Sequence, residues 1–180
     1  MLDSELSLRA GKLRWFLTDV DGVLTDGRMF YGPQGEALKV FHVRDGLALK
    51  LAQKAGIRVG LLSARGGPAV EHRAAELGLD LCLLKKKNKL ASFQEFLAEN
   101  NVEAEAVAYV GDDLQDLLVL THCGLSFCPA DAAPEVHARV DCVLQTAGGK
   151  GAVREAIESI LKARNAWENL LASYLPAPNS

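Results

Sequence analysis

Short apolar runs alternate with helix-length segments along most of this chain, and few folds accommodate that order. Trp15-Phe16-Leu17-Thr18 is followed by Arg28-Met29-Phe30-Tyr31 and Leu38-Lys39-Val40-Phe41-His42-Val43. Gly32-Pro33-Gln34-Gly35 separates these last two runs, which predicts a β-hairpin over about 28–43. Asp45 is expected to cap a helix running through Leu47, Leu49, Leu51 and Ala52 to Gly56, a glycine suited to ending it. Beyond it, Ile57–Leu62 reads as a buried strand, Val70–Leu77 as a helix closed by Gly78, and Asp80–Leu84 as a further strand. A helix over Leu90–Glu99, a strand over Ala106–Val110, a helix over about Leu114–Leu120 and short strands near Leu125–Phe127 and Cys142–Leu144 complete the pattern. One last helix is predicted over Ala152–Leu171, with Pro176–Ser180 as a frayed tail. The order implies an α/β fold: a mostly parallel sheet, helices on both faces, and a hairpin inserted after the first strand.

At 180 residues, 49% hydrophobic and 24% charged, the chain suits one soluble domain over 1–180, with the last helix and tail at about 152–180. A net charge of -3 argues against nucleic acid, whose partners carry strong basic patches, and points to a small-molecule ligand. Met1-Leu2-Asp3-Ser4-Glu5 has no apolar leader, and no run reaches membrane-spanning length, so no membrane partner and a cytoplasmic location are expected. Cys82, Cys123, Cys128 and Cys142 lack paired C-x-x-C spacing and read as buried free thiols.

The first strand ends in Asp19-Val20-Asp21-Gly22, which delivers two carboxylates to the carboxyl edge of a sheet, where open α/β folds place ligands. Acids so close repel one another unless a cation or a shared proton intervenes. Mg²⁺ takes oxygen ligands and binds phosphates through one or two carboxylates, so the pair points to magnesium and a phosphate ester. Asp, Gly and Thr also make ordinary turns, so distant segments must decide. Ser63-Ala64-Arg65 follows the second sheet strand and offers a hydroxyl and a guanidinium, although Ser63 alone could be a helix cap. Lys89 ends the basic run Lys85-Lys86-Lys87-Asn88-Lys89 and stands at a helix start, where it could turn inward while the others face solvent. Gly111-Asp112-Asp113-Leu114-Gln115-Asp116 follows a later strand, and its acids suit either a metal or a helix N-terminus.

This order of motifs resembles the haloacid dehalogenase superfamily of aspartate-nucleophile phosphatases, which share a Rossmann-like fold, and the resemblance spans the whole chain. Asp19–Gly27, Val43–Gly46, Tyr109–Asp113 and Gly148–Glu155 are similar to motifs of its 3-deoxy-D-manno-octulosonate 8-phosphate phosphatases. The resemblance implies that Asp19 attacks phosphorus and that Asp21 transfers protons. It places Mg²⁺ between the Asp19 carboxylate, the Asp21 backbone carbonyl and Asp112. Ser63 and Lys89 would hold phosphoryl oxygens, Asp113 and Asp116 would support the metal or the lysine, and Gly22 would lie against the substrate. Arg65 matches the arginine of the octulosonate enzymes, where nonulosonate phosphatases carry glutamate, and Arg73 could join it on the substrate carboxylate. Ala64 replaces the usual glycine, and His42 the usual asparagine, of these motifs.

Between Asp19 and Ser63 there is room for a hairpin and one helix, and between Ser63 and Lys89 for a helix and a strand, so no cap domain is expected. Water must then be excluded by something else. In the resembled family the hairpin builds a homotetramer whose neighbours close each site, consistent with the apolar Met29, Phe30, Tyr31, Val40 and Phe41. A hairpin folded on its own sheet is the alternative. Other functions are a phosphatase for another sugar acid phosphate, such as a nonulosonate 9-phosphate, or a non-catalytic sugar-phosphate-binding module on the same fold. No phosphate-binding G-x-x-x-x-G-K-[ST] loop is present, and Gly148-Gly149-Lys150-Gly151 reads as a turn near the site.

Overall fold

The computed structural model describes residues 2–175. An N-terminal helix α1 (Ser4–Lys12) leads into β1 (Trp15–Thr18), and the hairpin strands are β2 (Phe30–Gly32) and β3 (Gly35–Leu38). Then come α2 (Val43–Lys54), β4 (Arg58–Leu62), α3 (Pro68–Leu77), β5 (Leu81–Leu83) and α4 (Lys89–Asn100). The chain continues through β6 (Val107–Val110), a 3-10 turn at Leu114–Asp116, α5 (Leu117–Leu120), β7 (Leu125–Cys128), α6 (Pro134–His137), β8 (Cys142–Val143), α7 (Ala152–Ala163) and α8 (Trp167–Ala172). No helix among the described residues is long and apolar enough to cross a membrane.

Six strands pair in parallel in the order β5-β4-β1-β6-β7-β8. Numbered among themselves they run 3-2-1-4-5-6, and the strand order reverses between β1 and β6, the crevice where such sheets bind ligands. Side chains alternate between two cores, as strand geometry requires. Phe16, Val59, Leu61, Ala108, Val110, Leu125 and Phe127 pack with α1, α2, α3 and α7. Trp15, Leu17, Leu62, Val107, Tyr109 and Cys128 face Phe93, Phe96, Val119 and Val136 on the other side. Each such large side chain taken fully from water contributes about 1.5–3 kcal/mol.

The structure corrects several boundaries. The hairpin's second strand begins at Gly35, whose φ of +105° suits the turn, and ends at Leu38, so residues 39–42 are the lead-in to α2 rather than strand and Val43 opens the helix. Asp45 does not cap its own helix, since His42 holds that position; Asp45 lies buried in the first turn and accepts the Arg154 amide of α7 at 2.7 Å. The final helix breaks into α7 and α8. Asn165 adopts φ +55° and the Ala166 amide reaches back to the Leu161 carbonyl at 2.9 Å, a Schellman closure that the apolar periodicity conceals. Helix α1 was not expected; its signal is Asp3, whose carboxylate accepts the Leu6 amide at 2.9 Å. Cys82 is exposed rather than buried, because β5 is an edge strand. The predicted tail at 176–180 lies outside the described residues.

The hairpin forms its own two-stranded sheet, and its apolar side chains Phe30, Tyr31, Leu38 and Val40 are exposed. Phe41 differs from them, being half-buried and packed on the core.

Candidate active site

Asp19 continues the β1 ladder, its amide donating to the Val110 carbonyl at 2.9 Å, so its side chain emerges between β1 and β6 at their carboxyl ends. Its Oδ1 accepts the Val20 amide at 2.7 Å, and its Oδ2 pairs with Lys89 Nζ at 2.7 Å. Lys89 opens α4 behind the Asn88 cap, and its ammonium, almost wholly buried, bridges Asp19 and Asp116 Oδ1, the latter at 2.6 Å. Burial opposes that charge, but the two carboxylates outweigh it and raise the Lys89 pKa. Asp116 is fully engaged: the Tyr109 hydroxyl donates to Oδ1 at 2.5 Å, and the Asp112 and Asp113 amides approach Oδ2 at 3.2 and 3.3 Å. Tyr109 escaped the sequence reading; its signal was a phenol in an otherwise aliphatic buried strand, and burial raises its pKa far above the usual value.

Asp112 is the uncompensated member. No hydrogen bond reaches its carboxylate among the described residues, and burial, followed by the fields of Asp116 and Asp19, pushes it up to about 8. Burial and Asp116 likewise raise Asp19 to about 6 against the opposing pull of Lys89. Asp19, Asp112 and Asp116 bring carboxylate oxygens within 4.8 Å of one another. Since Asp116 is saturated by donors, Asp19 and Asp112 are the oxygens left for a hard cation. Gly22, at φ +87°, lies directly against Asp112, and a methyl there would overlap the carboxylate. Gly148 and Gly149 pack as closely against the backbone of Gly22, Thr25 and Asp26, confirming the glycine run as a turn beside the site.

Ser63 ends β4 in a buried position and does not cap a helix, because Gly67 precedes α3. With Asp19, Asp21, Ala64, Arg65, Asp112, Asp113, Gln115 and Asp116 it lines a small cavity of about 130 Å³. Asp113 caps the 3-10 turn by accepting the Leu114 amide at 2.7 Å, so of the two supporting acids only Asp116 reaches Lys89. Arg73 is not in this cavity. It lines a separate groove with Lys39, Phe41, Val43 and His72, its guanidinium 6.0 Å from the Phe41 ring centre.

The hairpin supplies the far wall. Lys39 Nζ pairs with Asp21 Oδ1 and with Glu36 Oε1, the second at 2.9 Å. Arg65 donates to Glu36 Oε2 at 3.1 Å and to the Tyr31 hydroxyl at 3.3 Å, with its Nε 3.6 Å from Asp21 Oδ2. Glu36 and Lys39 were missed in sequence; the available signal was a lone cation between Leu38 and Val40. A carboxylate just past a strand end, a buried ammonium paired with it and a neighbouring acid short of donors make a centre suited to phosphoryl transfer.

A profile of the haloacid dehalogenase-like hydrolases matches residues 83–157. The 3-deoxy-D-manno-octulosonate 8-phosphate phosphatase of Haemophilus influenzae is 47% identical over 152 residues, covering 84% of each chain. Its counterpart in Escherichia coli K12 is 40% identical over 163 residues, covering 91% of this chain and 87% of its own. The crystal structure of the Moraxella catarrhalis enzyme, in complex with magnesium ion, phosphate ion and KDO, superposes with a TM-score of 0.92 at 33% identity, over 95% of this chain and 98% of that one. On likeness of this extent, the chain belongs to the 3-deoxy-D-manno-octulosonate 8-phosphate phosphatase family of haloacid dehalogenase-like hydrolases.

Proposed function

We propose that this protein is a Mg²⁺-dependent phosphatase that hydrolyses 3-deoxy-D-manno-octulosonate 8-phosphate to the free sugar acid and inorganic phosphate, for lipopolysaccharide precursors. The observation that carries this reading is buried Lys89 held between Asp19 and Asp116 beside an Asp112 carboxylate that has no donor among the described residues. Carboxylates short of donors suit a hard cation, so Mg²⁺ would be held by the Asp19 carboxylate, the Asp21 backbone carbonyl and Asp112. When bound, the ion supplies positive charge to the transferring phosphoryl group.

In the first step the Asp19 carboxylate attacks phosphorus, the bond from phosphorus to the sugar oxygen breaks, and that oxygen keeps the electron pair and takes a proton from Asp21. In the second, Asp21 takes a proton from water as its oxygen attacks phosphorus, and Asp19 is released. Ser63 and Lys89 hold the phosphoryl oxygens throughout, stabilising charge in a site where water does not compete. Asp116 holds Lys89, Asp113 shapes the turn that presents Asp112, and Gly22 leaves the space the Asp112 carboxylate needs. Arg65, at the cavity rim, recognises the sugar acid carboxylate. Arg73 lines a separate groove and is given no part in this recognition.

The exposed apolar hairpin supports a homotetramer in the cytoplasm, its neighbours covering the open sites. Phosphate release from the octulosonate 8-phosphate, a nonulosonate 9-phosphate and an aryl phosphate, with and without Mg²⁺, tests the activity. Turnover that needs Mg²⁺ and favours the eight-carbon acid is expected; preference for the nine-carbon acid would move the substrate assignment while keeping the chemistry. Sedimentation velocity of the wild type and of Phe30→Lys tests the assembly, with dissociation expected in the variant.

A further inference from the structure

Lys39 is the anomaly of the hairpin. Its neighbours Leu38 and Val40 are 54% and 55% exposed, while its own side chain is 2% exposed, so apolar groups face out and a cation faces in. An ammonium in such a position is costly unless paired. Lys39 is paired twice, with Asp21 Oδ1 and Glu36 Oε1, and these carboxylates outweigh burial to raise its pKa. Glu36 is in turn shared with Arg65, which leaves the ammonium a narrow range of positions.

The consequence falls on Asp21. With Oδ1 engaged by Lys39, its Oδ2 is buried and makes no hydrogen bond among the described residues, with Arg65 Nε 3.6 Å away, and it belongs to the side chain that lines the cavity beside Asp19 and Ser63. We infer that Lys39, steadied by Glu36, is a positioning residue that fixes the rotamer of Asp21 and presents Oδ2 to the leaving oxygen, an assignment that rests on the phosphatase reading above. The bonds made and broken are those of the first step: the proton on Oδ2 passes to the sugar oxygen as its bond to phosphorus breaks, and Lys39 keeps its own protons. Proton transfer by a placed side chain depends on hydrogen-bond reach, so a carboxylate free to rotate loses much of its effect. The β-hairpin is thereby part of the reaction centre, and not only a surface for association.

A leaving group that needs no proton separates this role from a structural one. For p-nitrophenyl phosphate kcat/KM ends at expulsion of a stable phenolate, whereas the sugar phosphate must expel an alkoxide. Lys39→Met is expected to lower kcat/KM on the sugar acid phosphate by about 100-fold and on p-nitrophenyl phosphate by less than about fivefold, with Lys39→Arg recovering much of the difference. Equal losses on both substrates, or no loss on either, would overturn the assignment. Glu36→Gln keeps the buried lysine paired with Asp21 and gives a second test should Lys39→Met fold poorly: a selective loss of about tenfold on the sugar phosphate is expected, and an unselective one counts against the role. If wild-type protein prefers a different sugar acid phosphate, the substrate reading fails, but the same ratio measured on that alkyl phosphate still decides the role of Lys39.

Discussion

The two walls of the active site are built on opposite terms. The inner wall, Asp19, Lys89, Asp116 and Tyr109, is buried, and its ion pairs and the Tyr109 hydrogen bond join the end of β1, β6, the start of α4 and the 3-10 turn. On the outer wall, Asp21 is tied to Lys39 and Arg65, both of which also pair with Glu36, and leads to residues as open as Tyr31, 65% exposed. The contrast separates the labour: Asp19, the proposed nucleophile, is fixed by the core, while Asp21, the proposed proton carrier, is fixed by a hairpin whose other face is free to pack. Rigid placement suits the nucleophile, for which an ångström matters, and a removable wall suits substrate entry.

The largest effects belong to the inner wall. Asp19→Asn should reduce Mg²⁺-supported phosphate release by about 10⁴-fold or more, since it removes the proposed nucleophile. Retention of even a tenth of the activity would move the nucleophile elsewhere. Lys89→Met should destabilise the protein by about 3–5 kcal/mol in urea unfolding, because it leaves Asp19 and Asp116 buried without their cation. A change below about 1 kcal/mol would show that the inner wall is no more integral than an exposed pair.

The inner acids also make stability depend on pH in a direction opposite to the usual one. Asp112 is raised from 3.8 to about 8 and Asp19 from 3.8 to about 6, so the folded metal-free protein holds protons that the unfolded chain has lost. Stability from these groups is therefore full below pH 3.8 and is lost as pH rises through about 6 and about 8. Protons and Mg²⁺ compete for the same oxygens, so the gain in Tm on adding Mg²⁺ should grow over that window. Thermal unfolding with EDTA or excess Mg²⁺ at several pH values checks this, and a metal gain that shrinks with rising pH would contradict the placement of the cation.

Tyr109, inside β6, was not read as a site residue. Most of the acidic and cationic centre was nonetheless legible in the sequence: Asp19, Ser63 and Asp112 lie just past strand ends, where an apolar run fixes position, and Lys89 stands at a helix start. The outer wall was not, because the pairing of Lys39 with Asp21 depends on how the hairpin folds back across the sheet edge, and no local pattern encodes that. Asp45 was misread for the same reason. An acid before a helical run reads as the cap of its own helix, yet its carboxylate serves Arg154, 109 residues away. Asp45→Ala should cost about 1–2 kcal/mol, the value of a lost N-cap, while phosphate release per folded molecule stays close to wild type.

The smallest stability effect is expected at Arg65, and there the two walls can be told apart most directly. Its guanidinium has as many carboxylate partners as the Lys89 ammonium, one in Asp21 and one in Glu36, but its side chain is 45% exposed where that of Lys89 is 1% exposed. Water already solvates much of that charge, and its pairs are worth about 0–1 kcal/mol. Arg65→Ala should therefore move the urea midpoint little. Its kinetic effect should be distinct: loss of the one guanidinium that lines the cavity among the described residues should raise KM for the sugar acid phosphate by about tenfold, with little change for an aryl phosphate that has no carboxylate. Equal increases for both substrates would assign Arg65 to the phosphoryl group. A large loss of stability would instead make the outer wall as much a part of the folded core as the inner one, and the division between them would fail.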